Sequence, residues 1–148
     1  MKKIMVINGP NLNMLGKRKK EFYGSLTLDD INNMIIEKCK ELNISADFYQ
    51  NNCEGALIDC IQQAEGKYVG AIINAGAYSH YSYAIRDAIE CSSIPFIEVH
   101  MSDIYSRDEF RRKSVITEVC KDIVTGKKEN SYIIALEILE KLISEGEY

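Results

Sequence analysis

Long apolar runs are absent from this chain of 148 residues. A membrane-spanning helix needs roughly 20 consecutive apolar residues, and no stretch approaches that length. Near the amino terminus only residues 4–7 form an apolar run before Asn8 interrupts it. A signal peptide would need an apolar region of about 7–15 residues. We therefore expect a soluble cytoplasmic protein with no membrane partner.

An excess of positive charge is also absent. The chain has 18 Lys and Arg against 22 Asp and Glu, a formal net charge of −4. Nucleic acid is therefore not an expected partner, because its phosphates call for a basic surface. Hydrophobic residues make up 46% and charged residues 27%, an ordinary globular composition. At this length we expect a single domain over residues 1–148.

The cysteines lack the spacing of a metal site or a redox pair. There are five, an odd number, and no two stand three positions apart as in CxxC. This pattern predicts reduced, buried structural thiols and no bound metal. Cys53, beside Asn52 and Glu54, has the most polar surroundings. The full set is Cys39, Cys53, Cys60, Cys91 and Cys120.

Apolar strand-like runs alternate with helical patterns, without repeats or a low-complexity linker. Thr27, followed by two acidic residues, predicts a helix N-cap. Alternation of this kind predicts a parallel sheet with right-handed crossovers. We expect an α/β protein with a five-stranded parallel sheet and helices on both faces, in the flavodoxin-like form. The predicted strands are 2–8, 44–50, 69–74, 96–100 and a weaker one within 115–125, and the predicted helices run from 28 to about 42, over 54–64, 82–91 and 132–143.

Polar residues follow three of the predicted strands. The chain has only two histidines, and His80 and His100 each come just after an apolar run, as does the segment Asn8-Gly9-Pro10-Asn11. Ligands of open α/β sheets bind beyond the carboxyl ends of the strands. The three ends therefore predict one crevice and one active site, although a single such histidine could equally be a hydrogen-bonded surface residue.

The loop over residues 16–24 carries four lysines and arginines together with Tyr23. A solvated basic loop is one interpretation of such a charge run. The other is catalytic: tyrosine is a poor base at neutral pH, but a nearby guanidinium such as that of Arg18 favours the phenolate. A loop that brings both groups onto a bound substrate would also exclude water from the site.

Three motifs resemble those of the type II 3-dehydroquinate dehydratases. They are INGPNLNMLG with the following Arg18 and Tyr23-Gly24, then INAGAYSHYSYAIRDA, then IEVHMSDIYSRDEFRRKS, in order over residues 4–114. The resemblance implies a flavodoxin-like fold, a homododecamer built from trimers, and no metal or cofactor. It also implies anti elimination of water from 3-dehydroquinate, through an enol or enolate, to give 3-dehydroshikimate.

The resemblance also implies roles for individual residues. Tyr23 would be the base, Arg18 would lower its pKa, and His100, oriented by Glu98, would protonate the departing hydroxyl. Asn11 would hold a water that stabilises the enolate oxygen, and Asp87 would reach a neighbouring subunit's site. Arg111 could instead be a surface ion-pair residue. The substrate would be bound by Asn74, His80, Arg111, Ser102 and the backbone amides of Met101 and Ser102.

One segment departs from the resemblance. Where the family has a glycine-rich GxGxxGY stretch, residues 126–132 read GKKENSY, so that only Gly126 and Tyr132 match. None of the assigned chemistry lies there, and we expect only local packing or subunit contacts to differ.

The fold by itself also suits a flavin- or nucleotide-binding module or a receiver domain. Against a flavin site, the loop after strand one lacks a Ser/Thr/Gly-rich phosphate cradle. Against a receiver, strand one ends without an acidic pair, and Asn74 stands where strand three would end in a phosphorylatable Asp.

Overall fold

The computed structural model describes residues 1–17 and 25–146. Its strands are β1 (Lys3–Asn8), β2 (Ser45–Gln50), β3 (Ala71–Asn74), β4 (Phe96–Val99) and β5 (Asp122–Val124). Its α-helices are α1 (Leu28–Leu42), α2 (Glu54–Gln63), α3 (Tyr83–Cys91) and α4 (Asn130–Glu145). Across these residues, no helix is both long and apolar enough to cross a membrane.

The five strands form one parallel sheet in the order β2-β1-β3-β4-β5. This is the strand order of the flavodoxin-like fold, so the predicted fold class is confirmed. The order reverses between β1 and β3, and there Asn8 and Asn74 are direct partners in the register. Strand β5 is only three residues long, which explains its weak signal in the sequence.

Two helices cover each face of the sheet. Helices α1 and α4 bury one apolar cluster, to which α1 contributes Ile31, Ile35 and Cys39 at four-residue spacing. Helices α2 and α3 cover the opposite cluster, which includes Leu57, Ile61 and Ile85. Because both faces are covered, the central strands β3 and β4 are buried at every position, as their largely apolar sequence predicts.

The start of α1 confirms the predicted cap. The Thr27 hydroxyl accepts from the Asp30 backbone N–H at 3.1 Å, and the Asp30 carboxylate accepts from the Thr27 N–H at 3.0 Å. This reciprocal capping box satisfies two of the free N–H groups that every helix start exposes. The same hydrogen bonds lower the pKa of Asp30.

All five cysteines are free thiols. The expectation of burial holds for Cys39 and Cys60, and burial raises the pKa of each thiol to about 11. It is wrong for Cys53 and Cys91, which are exposed. Cys53 is the N-cap of α2 and Cys91 is the last residue of α3; both have polar neighbours in sequence, and such end positions face solvent.

Candidate active site

A pocket lies beyond the carboxyl ends of β1, β3 and β4, at the edge of the sheet where sequence reasoning expects the crevice. It collects seven of the predicted site residues from segments that are far apart in the chain. Its lining consists of Pro10, Asn11, Leu12, Asn74, Gly76, Ala77, His80, His100, Met101, Ser102, Ile104, Arg107 and Arg111.

Tight contacts between two loops fix one wall of this pocket. A Cβ atom at Gly9 would lie 2.6 Å from the Ala75 carbonyl oxygen, and one at Gly76 would lie 3.1 Å from the Pro10 carbonyl oxygen. Such distances leave room for glycine only at position 9. Asn11 follows with a left-handed backbone (φ 69°), and its N–H donates to the Asn52 side-chain oxygen at 3.0 Å.

Glu98 and His100 form a buried pair on β4 and the residue that follows it. The His100 Nε2 lies 2.5 Å from Glu98 Oε2, and both side chains are almost completely buried. Two hydroxyls complete the carboxylate's surroundings: Ser114 donates to Oε2 at 2.6 Å and Thr117 to Oε1 at 2.5 Å. Because Glu98 occupies Nε2, the ring nitrogen left for a ligand is Nδ1.

The pKa of Glu98 results from opposing effects. Burial alone raises it, but the hydrogen bond and charge of His100, with the hydroxyls of Ser114 and Thr117, bring it below the ordinary value. The carboxylate is therefore ionised and acts as a fixed acceptor for the imidazole, an arrangement typical of an oriented acid–base histidine. The hydroxyls of Ser114 and Thr117 were not anticipated from the sequence.

His80 is held differently. Its Nδ1 lies 2.7 Å from the Lys113 carbonyl oxygen, and since a carbonyl only accepts, Nδ1 must carry the proton. Burial lowers the pKa of His80, and the charges of His100 and Arg111 lower it further, against the opposing effect of the Lys113 carbonyl. His80 is the last residue of a separate 3-10 helix, Gly76–His80, which precedes α3.

Arg111 presents an unsatisfied donor. Its guanidinium carbon lies 4.6 Å from the centre of the Phe110 ring, and its Nε lies 3.9 Å from the nearest Asp108 oxygen. That separation is too long for a hydrogen bond, and this buried Nε has no acceptor in the described part of the chain. An oxygen of a bound anion or hydroxyl compound would satisfy it.

Met101 and Ser102, which follow β4, accept backbone hydrogen bonds from the segment before α4. The Gly126 N–H donates to the Ser102 carbonyl at 3.0 Å, and the Lys128 N–H donates to the Met101 carbonyl at 3.0 Å. Arg107 adds a longer contact from Nη1 to the Ser102 hydroxyl at 3.4 Å. The segment that departs from the family pattern therefore supports the predicted carboxylate-binding turn, which sequence reasoning did not foresee.

Comparison with known proteins identifies the family. Residues 2–140 match the family model described as Dehydroquinase class II. The chain belongs to the class II dehydroquinase family.

Individual relatives agree closely. A 3-dehydroquinate dehydratase of Caldicellulosiruptor saccharolyticus is 51% identical over 97% of this chain and 99% of its own. One of Thermotoga neapolitana is 48% identical over 97% of each chain. The crystal structure of a type II dehydroquinase from Butyrivibrio crossotus, 50% identical, superposes with a TM-score of 0.91 over 93% of this chain and 97% of its own. Family membership decides against the flavin-binding and receiver alternatives.

Two predicted site residues in the described part of the chain, Asp87 and Glu98, do not line the pocket. Arg18 and Tyr23 lie outside the described residues. Asp87 is exposed on α3, away from the pocket of its own chain. Glu98 is buried and contacts the pocket residue His100 through its Nε2. Within residues 1–17 and 25–146, no cluster of three His, Cys, Asp or Glu side chains could hold a metal ion.

Tyr132 is the main residue of the site that sequence reasoning missed. It is fully buried at the start of α4, and its hydroxyl contacts both Asn8 and Asn74. The only signal in the sequence was its match to the last position of the family's GxGxxGY stretch, which gives no hint of a contact with β1 and β3.

Proposed function

We propose that the chain catalyses the loss of water from 3-dehydroquinate to give 3-dehydroshikimate, as an anti elimination through an enol or enolate. The observation that carries this proposal is the buried Glu98–His100 pair facing a pocket lined with Asn74, His80 and Arg111, in a chain of the class II dehydroquinase family.

In the proposed first step, Tyr23 as phenolate takes a proton from the carbon next to the ketone. The electron pair moves onto the ketone oxygen, and the resulting enolate is stabilised by a water held by Asn11. The positive charge of Arg18 would lower the pKa of Tyr23 and so favour the phenolate. The position of Asn11 on the pocket wall supports its part of this assignment.

In the proposed second step, the enolate's electron pair forms the new carbon–carbon double bond as the hydroxyl departs. His100, doubly protonated, gives its Nδ1 proton to that hydroxyl, which leaves as water. Glu98, whose Oε2 lies 2.5 Å from Nε2, would hold the imidazole in the orientation that this transfer requires. Proton exchange with solvent then restores Tyr23 and His100.

The rest of the pocket is proposed to bind the substrate. Ser102 and the backbone amides of Met101 and Ser102 would take the carboxylate, and Asn74, His80 and Arg111 would bind hydroxyl groups. The Arg111 Nε, which has no acceptor in the described part of the chain, and a neutral His80 can both form hydrogen bonds with the uncharged hydroxyl groups of the substrate. No metal or cofactor is part of this proposal.

We further propose that the active form is a cytoplasmic homododecamer built from trimers, in which Asp87 completes a neighbouring subunit's site. Its exposure on α3, outside the pocket of its own chain, supports this assignment.

The deciding experiment is a spectroscopic assay. Adding 3-dehydroquinate to the purified protein should raise the ultraviolet absorbance of the conjugated enone product. His100→Ala should lose this activity, whereas Ser144→Ala, which removes a hydroxyl from the surface of α4, should keep it. Prior treatment with EDTA should change nothing. A wild-type protein that produces no enone, or one whose activity EDTA removes and a divalent metal restores, would refute the proposal.

A further inference from the structure

The hydroxyl of Tyr132 joins the two asparagines that end β1 and β3. It lies 2.6 Å from Asn8 Oδ1 and 2.9 Å from Asn74 Nδ2. All three side chains are buried, Tyr132 completely and the two asparagines to at least 96%. Because Asn8 and Asn74 are register partners on adjacent strands, the phenol lies at the point where the strand order reverses.

A backbone group sets the direction of every hydrogen bond in this cluster. The Gly76 N–H points at the Asn74 side chain at 3.2 Å, so the atom facing it must be the acceptor Oδ1. The Asn74 Nδ2 then faces Tyr132 and donates to the phenol oxygen. The single phenol proton is left for Asn8 Oδ1, which can only accept. Turning the Asn74 amide around would set its Nδ2 against the Gly76 N–H, and turning the Asn8 amide around would leave the phenol proton without an acceptor in this cluster.

We propose that Tyr132 is a positioning residue for substrate binding, which holds the amide of Asn74 in one orientation. With one Nδ2 hydrogen used by Tyr132 and one Oδ1 lone pair used by Gly76, Asn74 offers the pocket a single remaining donor and a single remaining acceptor. That pair matches one hydroxyl group of a polyol. The inference rests on the proposed function for the identity of the substrate, but not for the contact itself.

Through Tyr132, the start of α4 contacts the site directly, and the segment before it contacts the site through its backbone. Residues 126–131 support the turn at Met101 and Ser102 through backbone N–H groups, which a changed side-chain sequence can still supply. Tyr132 acts through its phenol oxygen, which no aliphatic residue could replace. The site can therefore tolerate GKKENS in this segment but requires the tyrosine.

The first test is Tyr132→Phe, which removes one oxygen atom and keeps the ring. We expect KM for 3-dehydroquinate to rise about tenfold while kcat changes less, because a freed Asn74 amide weakens binding of the ground and transition states alike. A purely structural role would lower the melting temperature and the active fraction without moving KM. Tyr68→Phe is the matched control, since it removes a phenol hydroxyl that donates to Asp47 and does not line this pocket.

The second test asks whether Tyr132 acts through Asn74. In an Asn74→Ala background, Tyr132→Phe should raise KM less than twofold further, because the amide that it orients is gone. A full tenfold increase in that background, or an unchanged KM in the single variant, overturns the inference.

The third test needs no turnover, so it separates this inference from the proposed function. By NMR, the side-chain amide protons of Asn74 should exchange slowly with solvent in the wild type and rapidly in Tyr132→Phe, with Tyr68→Phe like the wild type. Equal exchange in wild type and Tyr132→Phe contradicts the inference even if the enzyme is fully active. Loss of protection in an enzyme that produces no enone would support the positioning and refute only the proposed reaction.

Discussion

The imidazole rings of His80 and His100 lie nearly parallel, with 6.1 Å between their centres and 22° between their planes. Two adjacent positive charges in a buried site repel each other, so the two rings cannot both be protonated at little cost. Their ring nitrogens contact different partners: His100 Nε2 contacts the Glu98 carboxylate, whereas His80 Nδ1 donates to the Lys113 carbonyl oxygen. His80 is the ring of the pair that burial and the neighbouring charges of His100 and Arg111 favour in the neutral state.

His80 should therefore titrate below the ordinary pKa of 6.5, because burial and the neighbouring charges of His100 and Arg111 lower its pKa. An NMR titration of its ring protons measures this directly. The unfolded chain then binds this proton at a higher pH than the folded one. The stability that neutral His80 contributes is complete above pH 6.5 and falls as pH drops toward the folded pKa. His80→Gln should lack that part of the pH dependence, and a midpoint above 6.5 would contradict the expectation.

Glu98 should make stability depend on pH in a lower range. Despite the effect of burial, its hydrogen bonds hold its pKa below the ordinary 4.5. Since the folded carboxyl is the stronger acid, its contribution is present above pH 4.5 and is lost as pH falls through the lowered value. Urea unfolding of the wild type and of Glu98→Gln across this range should show a steeper acid loss for the wild type. Parallel curves would mean that Glu98 does not account for the dependence.

Thr117→Val should weaken both stability and turnover. The hydroxyl donates to a buried carboxylate, and a hydrogen bond to a charged group contributes roughly 1.5–3 kcal/mol. We expect a loss of about that size in the free energy of unfolding and a reduced kcat, because Glu98 would hold His100 less firmly. Thr117→Ser keeps the hydroxyl and should recover most of the kcat. If the serine variant has the same kcat as the valine variant, the hydroxyl does not act on His100.

Tyr23→Phe and Arg18→Ala should each remove nearly all turnover and leave the fold intact. The first change removes the proposed base, and the second removes the charge that favours its phenolate. A general base typically contributes about 10²–10⁴-fold to the rate. Steady-state kinetics and circular dichroism check both expectations. More than about a tenth of wild-type kcat in Tyr23→Phe would mean that a different group takes the proton.

Asp87→Ala should raise KM or disturb assembly, because the proposed position of Asp87 is in a neighbouring subunit's site. Light scattering on the wild type should give a mass several times 16.8 kDa. Glu90→Ala is a suitable control, since Glu90 is also exposed on α3 but has no assigned role. A fully active monomer, or an Asp87→Ala variant with the KM and mass of the wild type, would exclude this role.

The strands and their polar ends could be predicted from the sequence for a simple reason. Strands β3 and β4 are covered on both faces, so their burial appears as apolar runs, interrupted in β4 by Glu98, that end at Asn74 and His100. The Thr27 cap is a local interaction within four residues, and it too is visible in the sequence. Boundaries differ slightly: β3 begins at Ala71 where we predicted residue 69, and α4 begins at Asn130 where we predicted 132.

The contacts that organise the site could not be predicted in this way. Thr117 reaches Glu98 across 19 positions and Ser114 across 16, and neither stands in a periodic pattern. The predicted residues that line the pocket follow the strands and match long motifs, whereas the residues that hold them in place come from loops and helices distant in sequence. A hydroxyl at such a position looks like any surface serine or threonine.

The hydrogen bond between Tyr132 and Asn8 spans 124 positions of the chain, and this separation bears on how the protein acquires activity during synthesis. The ribosome releases the strand that ends in Asn8 long before it releases α4. Until that last helix docks, Asn8 and Asn74 have no phenol between them, and a nascent chain can hold most of its sheet without a finished pocket. Contacts so distant in sequence form late and slowly. We therefore expect enzymatic activity to appear only after α4 has left the ribosome and docked, later than the secondary structure of the first four strands.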